Sequence, residues 1–151
     1  MTADVDIVAR AKELAHRAHA GQVDKAGRPY IEHVARVAAA VADDPEAEAV
    51  AWLHDVLEDA PPEHCREMIE MFPSEIMMAV VDLTRATYGE DPQYYPIIRR
   101  RPLALRVKLA DIADNSDETR LALLDEKTAA RLRRKYAKAR EALTGGRDER
   151  S

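Results

Sequence analysis

Apolar residues recur every three or four positions through most of the chain, and this period predicts amphipathic helices rather than strands. Glycine is scarce, with 5 residues, and no run of β-branched residues is bounded by turn signals. We therefore expect an all-α fold, a compact bundle of about eight or nine helices. The predicted helices run over 4–20, 30–43, 45–59, 63–72, 74–84, 103–115, 117–124 and 126–143.

The whole chain is expected to form one domain. A length of 151 residues suffices for a single hydrophobic core, predicted over 1–144, and Gly145-Gly146 should cap the last helix ahead of a flexible C-terminal tail over 145–151. A formal charge of −5 argues against nucleic acid as a partner. Because no apolar run approaches membrane length, no signal peptide is visible and Cys65 is the only cysteine, we expect a cytoplasmic protein without a membrane partner.

The stretch Ala-Trp-Leu-His-Asp-Val-Leu-Glu-Asp over 51–59 carries the densest candidate chemistry. Read as one continuous helix, it places His54, Asp55, Glu58 and Asp59 along a single edge. Burying such groups unpaired would cost several kcal/mol, and a divalent cation would offset that cost. The adjacent His-Asp pair offers too few ligands to hold a metal alone, so further ligands must come from elsewhere.

His33 and Asp111 are candidates for the missing ligands. His33 lies one turn into the second helix, and its alternative interpretation is a hydrogen-bonded core histidine. Asp111 interrupts an apolar helix face, and its alternative is a salt bridge to Arg106 or Lys108. Together with the His-Asp pair they make two imidazoles and two carboxylates from three helices, which is typical of a hydrolase metal site with open coordination positions.

Three motifs occur in a recognisable order: Pro-Tyr-Ile-Glu-His over 29–33, the stretch over 51–59, and Val-Lys-Leu-Ala-Asp-Ile-Ala-Asp-Asn over 107–115. Over about residues 14–115 the chain resembles the HD-domain metal-dependent phosphohydrolases. More narrowly it is similar to the small alarmone hydrolases, relatives of the hydrolase domain of RelA/SpoT enzymes. The resemblance implies that one divalent metal, typically manganese, is bound by His33, His54, Asp55 and Asp111.

The resemblance also implies an activity, hydrolysis of the 3′-pyrophosphate of a guanosine alarmone, with a small-molecule nucleotide as the partner. Glu58 and Asp59 match the catalytic pair of the family, and they would orient water and pass a proton to the leaving oxygen. Two neighbouring carboxylates repel each other, so one of them should keep a proton to donate. Lys25 and Asn115 match positions near the substrate.

The phosphate-binding and base-binding residues are less clearly marked. Arg85 and Arg99 are candidates to hold the remaining phosphates, because a guanidinium fork matches phosphate geometry, and exposed surface arginines are the alternative. Guanosine-directed members of the family commonly carry an Arg-Lys pair in the loop before the first motif, where this chain has Asp24-Lys25. If this loop forms a wall of the base pocket, Asp24 removes the cationic group that stacks on guanine, so the base of the substrate could be guanine or adenine.

Three functions are compatible with these patterns. The first is a 3′-pyrophosphohydrolase of alarmone-type nucleotides, which the adjacent Glu58-Asp59 pair favours. The second is a phosphatase or nucleotidase of the HD type acting on another phosphate ester. The third is a binding or regulatory module in which the metal is structural, and the complete set of potential ligands weighs against it.

Overall fold

The computed structural model describes residues 2–59, 62–84 and 93–145, with side chains from Asp6 onward and without that of Asp59. Within these residues the chain is helical and holds no β-strand, which confirms the all-α prediction. Its helical segments are named here in chain order. They are α1 (Thr2–Ala18), α2 (Tyr30–Ala40), α3 (Pro45–Leu53), α4 (Val56–Asp59), α5 (Pro62–Met71), α6 (Ser74–Leu83), α7 (Tyr94–Arg99), α8 (Pro102–Asn115), α9 (Glu118–Leu121) and α10 (Glu126–Thr144).

Helix α3 lies at the centre of the bundle and packs against α1, α2, α6 and α8. Asp44 begins it by accepting a hydrogen bond from the Glu46 amide at 3.0 Å, and Pro45 occupies the first helical turn, where no amide donor is needed. Small residues alternate with large ones along α3, so neighbouring helices approach it closely. Its buried residues are Ala47, Ala49, Val50, Ala51, Trp52 and Leu53.

The predicted single helix over 45–59 is wrong in one respect, because the structure breaks it at His54 and Asp55. In an uninterrupted helix the carbonyl oxygen of Ala51 would accept a hydrogen bond from the Asp55 amide. Here the Nδ1 of His54 occupies that oxygen at 2.7 Å, and the His54 amide also points to it at 3.5 Å. Helix α3 therefore ends at Leu53, and a separate turn, α4, begins at Val56.

Helix α7 was not predicted, because Pro96 lies inside it and the preceding residues are polar. Pro96 falls in the first turn, where a proline is tolerated. Tyr94 is buried, and its hydroxyl donates to the carbonyl oxygen of Leu83 at 2.8 Å.

Gly145 ends α10 with a φ of 62°, as expected for a helix cap. The guanidinium of Arg99 lies so close that a side chain at this glycine would collide with it.

Buried apolar side chains form one large cluster to which most of the helices contribute, and a small second cluster that shares Tyr136 with it. The second cluster comprises Leu121, Ala129 and Leu132, with Leu124 and Tyr136 packed against it. On α5, Met68 is buried whereas its neighbour Ile69 is 61% exposed. No helix among the described residues is both long enough and apolar enough to span a bilayer.

Candidate metal centre and the adjoining cavity

The structure brings His33, His54, Asp55 and Asp111 together, with one potential ligand atom from each lying within 4.8 Å of the others. Helix α2 supplies the first of them, the break between α3 and α4 supplies the His-Asp pair, and α8 supplies the last. Asp111 Oδ1 lies 2.9 Å from His33 Nε2 and 3.3 Å from His54 Nε2. Asp55 Oδ2 lies 3.1 Å from His54 Nε2. The two imidazole Nε2 atoms thus face the same oxygen of Asp111, and that of His54 also faces Asp55.

Hydrogen bonds on the far side of each ring determine which ring nitrogen carries a proton. The Nδ1 of His54 lies 2.7 Å from the carbonyl oxygen of Ala51, which can only accept, so this Nδ1 donates. The Nδ1 of His33 lies 2.6 Å from Asp114 Oδ2, and the pKa of the Asp114 carboxyl is about 2, because burial is outweighed by its contacts with His33 and Arg36. That carboxylate also accepts only. Both Nε2 atoms are therefore the ones left to bind a cation.

A cation is needed between these rings and the carboxylates, because an Nε2 lone pair and a carboxylate oxygen repel each other. In the metal-free chain a proton fills this role. Burial opposes charge on His54, but Asp55 and Asp111 outweigh it and raise the pKa of its imidazole well above the ordinary value. Burial also opposes ionisation of Asp55, yet His54 lowers the pKa of that carboxyl to about 2.

The spacing of these side chains also fits a divalent cation. Two ligands at right angles and about 2.1 Å from a metal lie about 3 Å apart, close to the 2.9–3.3 Å between the imidazole and carboxylate atoms here. Mixed nitrogen and oxygen ligands without a cysteine are typical of catalytic rather than structural sites. The cluster could therefore hold a metal ion, and its donor set does not by itself single out manganese.

Three neighbouring side chains orient the two carboxylates of the cluster. The Tyr30 hydroxyl donates to Asp55 Oδ2. The Lys108 ammonium lies 3.2 Å from Asp111 Oδ2, and the Asn115 amide donates to Asp111 Oδ1 at 3.2 Å. The alternative salt bridge between Lys108 and Asp111 is thus present, but it engages the oxygen that faces away from the rings. The other oxygen remains directed at both histidines.

Asp114 was not singled out from the sequence, although it holds one ring of the cluster in place. It accepts from His33 Nδ1 at 2.6 Å and from Arg36 Nε at 2.7 Å, and Arg120 Nη2 lies 3.6 Å from it. Its spacing of three residues from Asp111 puts both carboxylates on the same side of α8 and gave one usable signal. Its link to His33, which is 81 residues away, depends on how α2 and α8 pack.

A cavity of about 610 Å³ adjoins the cluster and shares Tyr30 and Asn115 with its surroundings. The loop over 21–29 forms one wall, and the segment from α9 to α10 forms the opposite wall. The size suits a small organic ligand. Its charged lining residues are mostly basic, and part of its apolar lining belongs to the second cluster. The basic lining residues are Lys25, Arg28, Arg36, Arg120 and Lys135.

Asp24 and Lys25 both line this cavity, but the Asp24 carboxylate also shapes the loop. Its Oδ1 accepts hydrogen bonds from the amides of Ala26 and Arg28, each at 2.9 Å. An Asp side chain that bonds to nearby amides in this way stabilises a turn. Only Oδ2 is left facing outward, 3.9 Å from Nη1 of Arg120. The effect of Asp24 on base preference stays a prediction.

The other residues predicted for the site are Glu58, Asp59, Arg85 and Arg99, and neither of the two whose side chains are described, Glu58 and Arg99, lines the cavity. Glu58 is exposed on α4, one turn beyond the His-Asp pair. Arg99 does not line the cavity, and its guanidinium lies against Gly145 instead. Arg85 lies outside the described residues, as does the side chain of Asp59.

Comparison with known proteins relates the chain to enzymes of guanosine nucleotide metabolism. It is 28% identical over 144 residues to a GTP pyrophosphokinase of Myxococcus xanthus, a match that covers 85% of this chain and 19% of that protein. It is 32% identical over 117 residues to a guanosine-3′,5′-bis(diphosphate) 3′-pyrophosphohydrolase of Haemophilus influenzae, covering 71% and 17%. A GTP pyrophosphokinase of Streptomyces coelicolor is 31% identical over 121 residues, covering 72% and 14%.

These similarities support a RelA/SpoT-like relationship. The chain spans less than a fifth of the length of each of these relatives. Their names include both synthesis and hydrolysis, so the names alone do not choose between the two reactions. No protein-family profile matches the chain.

Proposed function

We propose that this chain is a metal-dependent 3′-pyrophosphohydrolase of alarmone-type nucleotides, an HD-type phosphohydrolase that releases pyrophosphate. The observation that carries the proposal is the buried cluster of His33, His54, Asp55 and Asp111 beside a cavity of about 610 Å³ with basic lining. The chemistry of this cluster favours hydrolysis over synthesis, because its mixed nitrogen and oxygen ligands are typical of sites in which a metal activates water, and one of the relatives is named a 3′-pyrophosphohydrolase.

His33 and His54 would hold the metal through Nε2, and Asp55 and Asp111 through carboxylate oxygens. A divalent cation, with Mn²⁺ as our expectation, supplies Lewis acidity when bound: it acidifies water and offsets negative charge on phosphate oxygens. Tyr30 and Lys108 hold the two carboxylates, so that the oxygens facing the rings do not have to reorient during reaction.

Glu58 and Asp59 would do the proton chemistry. Glu58 lies one turn beyond the His-Asp pair, outside the set of four potential ligands, and is exposed to water. Of the pair, one carboxylate would accept the proton of the attacking water and the other would donate a proton to the leaving ribose 3′-oxygen. Phosphorus–oxygen cleavage at that position yields pyrophosphate and a free 3′-hydroxyl.

The loop over 21–29 and Asn115 would receive the nucleoside, because both line the cavity and Asn115 also contacts Asp111 of the cluster. Lys25 is exposed on that wall and would attract the phosphates. Arg85 and Arg99 remain candidates for the phosphates from the sequence. Guanosine and adenosine substrates both remain in the proposal, because no cationic side chain occupies position 24.

The test is a product analysis with guanosine and adenosine 3′-pyrophosphates, and with ordinary nucleoside monophosphates, in Mn²⁺. We expect pyrophosphate from the 3′-pyrophosphorylated nucleotides, no product after chelation, and no product from His54→Ala. Release of orthophosphate from nucleoside monophosphates alone would instead indicate a phosphatase. Absence of turnover across the panel, with metal bound, would indicate a binding module.

A further inference from the structure

Arg120 reaches from α9 into the wall of the cavity with most of its hydrogen-bonding capacity unused. Its Nε donates to the backbone carbonyl oxygen of Asp114 at 3.2 Å, which fixes the base of the guanidinium. Nη2 lies 3.6 Å from the Asp114 carboxylate and Nη1 lies 3.9 Å from that of Asp24. Charge-assisted hydrogen bonds are shorter, about 2.7–2.9 Å. Within the described part of the chain, the Nη atoms make no hydrogen bond.

The other arginines that line the cavity are already paired. Arg36 donates through Nε to Asp114 Oδ1 at 2.7 Å. Arg28 donates through Nε and Nη2 to Glu32 at 3.2 and 3.4 Å. Arg120 therefore differs from them in having two carboxylates near it and a hydrogen bond to neither. With 27% of its side chain exposed, it can accept an anion from the cavity without first breaking a short ion pair.

The position of Arg120 favours a phosphate other than the cleaved one as its ligand. Asp114 lies between Arg120 and His33, and it contacts the Nδ1 side of the ring. The metal cluster lies on the opposite side, at Nε2. An anion bound at Arg120 is thus separated from the cluster by a carboxylate and an imidazole ring. A ligand that occupies both places must carry two separate anionic groups.

We propose that Arg120 binds a phosphate of the substrate that is not cleaved, and that Asp24 competes with this phosphate for the guanidinium. The inference rests on the proposed function in taking the ligand to be a nucleotide phosphorylated at two positions. A phosphate accepts two parallel N–H donors from the guanidinium fork, which the single oxygen of Asp24 at 3.9 Å does not.

Asp24 allows the competition to be tested without destroying the loop. Its Oδ1 holds the amides of Ala26 and Arg28, and its Oδ2 faces Arg120. Asp24→Asn retains a carbonyl oxygen for the amides and removes the negative charge. This substitution should leave the wall in place and free Arg120 to engage an incoming phosphate.

The experiment measures dissociation constants of guanosine and adenosine 5′-diphosphate by calorimetry on the full chain in Mn²⁺. These probes have no 3′-phosphate, so turnover does not affect the result. We expect Arg120→Gln to weaken binding about tenfold or more, and Arg28→Gln, which removes the same charge from a paired guanidinium, by about twofold or less. Asp24→Asn should tighten binding several-fold, and this gain should vanish in the Arg120→Gln background.

Equal effects of Arg120→Gln and Arg28→Gln would overturn the proposal, since the cavity would then act only through its general charge. A gain from Asp24→Asn that persists in the Arg120→Gln background, or no binding of diphosphates by the wild type, would overturn it too. If Arg120→Gln does not fold, Arg120→Lys replaces it, with a loss of several-fold expected because the fork is gone. Failure of the proposed function is a separate result, namely no pyrophosphate released by the wild type.

Discussion

Removing the Asp114 carboxylate should weaken metal binding although this residue is not itself a ligand. Asp114 accepts the Nδ1 proton of His33 at 2.6 Å and so fixes which ring nitrogen faces the cluster. In Asp114→Ala that proton has no acceptor, and the ring can turn or change its protonated nitrogen. Losing such a partner lowers metal affinity by about 10- to 100-fold. The corresponding loss of binding free energy is about 1.4–2.8 kcal/mol.

The assay is a Mn²⁺ titration followed by electron paramagnetic resonance, which reports free Mn²⁺ without depending on turnover. Asp114→Asn keeps an acceptor oxygen but loses the charge, so we expect an affinity between those of the wild type and Asp114→Ala. Glu32→Gln is the matched control. Glu32 is next to His33 in the chain, but its carboxylate pairs with Arg28 and not with a potential metal ligand. The substitution therefore removes the same charge without touching the cluster.

Mn²⁺ affinity and melting temperature together distinguish a loss of His33 orientation from a loss of folding. Asp114→Ala also frees Arg36 and Arg120, so the melting temperature should be measured on the same samples. If the folded Asp114→Ala variant binds Mn²⁺ within twofold of the wild type, the orientation of His33 does not depend on this carboxylate and the reasoning fails. If Glu32→Gln weakens binding equally, the effect is one of net charge alone.

Further predictions concern the catalysts, the pH dependence and the core. Glu58→Gln and Asp59→Asn should each lower turnover by roughly 100-fold or more with Mn²⁺ content unchanged, and loss of metal together with activity would make them ligands instead. Without metal, the melting temperature should be highest between about pH 4 and 6.5. Because folding raises the pKa of His54, its imidazole contributes stability that is fully present below about pH 6.5 and is lost as pH rises through the higher pKa of the folded state. Because folding lowers the pKa of Asp55 to about 2, its carboxylate contributes stability that is fully present above about pH 3.9 and is lost as pH falls through the folded-state pKa. Fluorimetry in chelator from pH 3 to 9 would contradict this if stability rose throughout. Leu14→Ala should cost about 2–5 kcal/mol in urea unfolding because Leu14 is fully buried, and a smaller loss would mean that the core closes around the gap.

The helical period was sufficient to predict the fold class, because it records which face of each helix is buried. It predicted α8 closely, since Pro102 marks the start of the helix and the apolar pattern ends in the turn that contains Asn115. It could not predict the break after Leu53, because that break depends on one ring nitrogen reaching one carbonyl oxygen. Nor could it reveal α7, where Pro96 suggested a loop.

The same distinction applies to the site. His33, His54, Asp55 and Asp111 were recognisable because their residue types are unusual on apolar helix faces. The groups that orient them are ordinary in sequence and become informative only when helices pack. Asp114 and Arg120 belong to this second kind, since each acts across the space between separate helices.

The two sides of the cavity are supported by apolar clusters of different size. The side chains of the metal cluster come from α2, α8 and the break between α3 and α4, all packed in the large core. The wall formed by α9 and the start of α10 rests instead on Leu121, Ala129 and Leu132. Segments with few buried neighbours open more readily than the body of a protein. Leu123 on this wall is 66% exposed, so its replacement perturbs little packing. Substitutions in the wall formed by α9 and the start of α10 should therefore change the shape of the cavity while the four-residue cluster and the large core keep their packing.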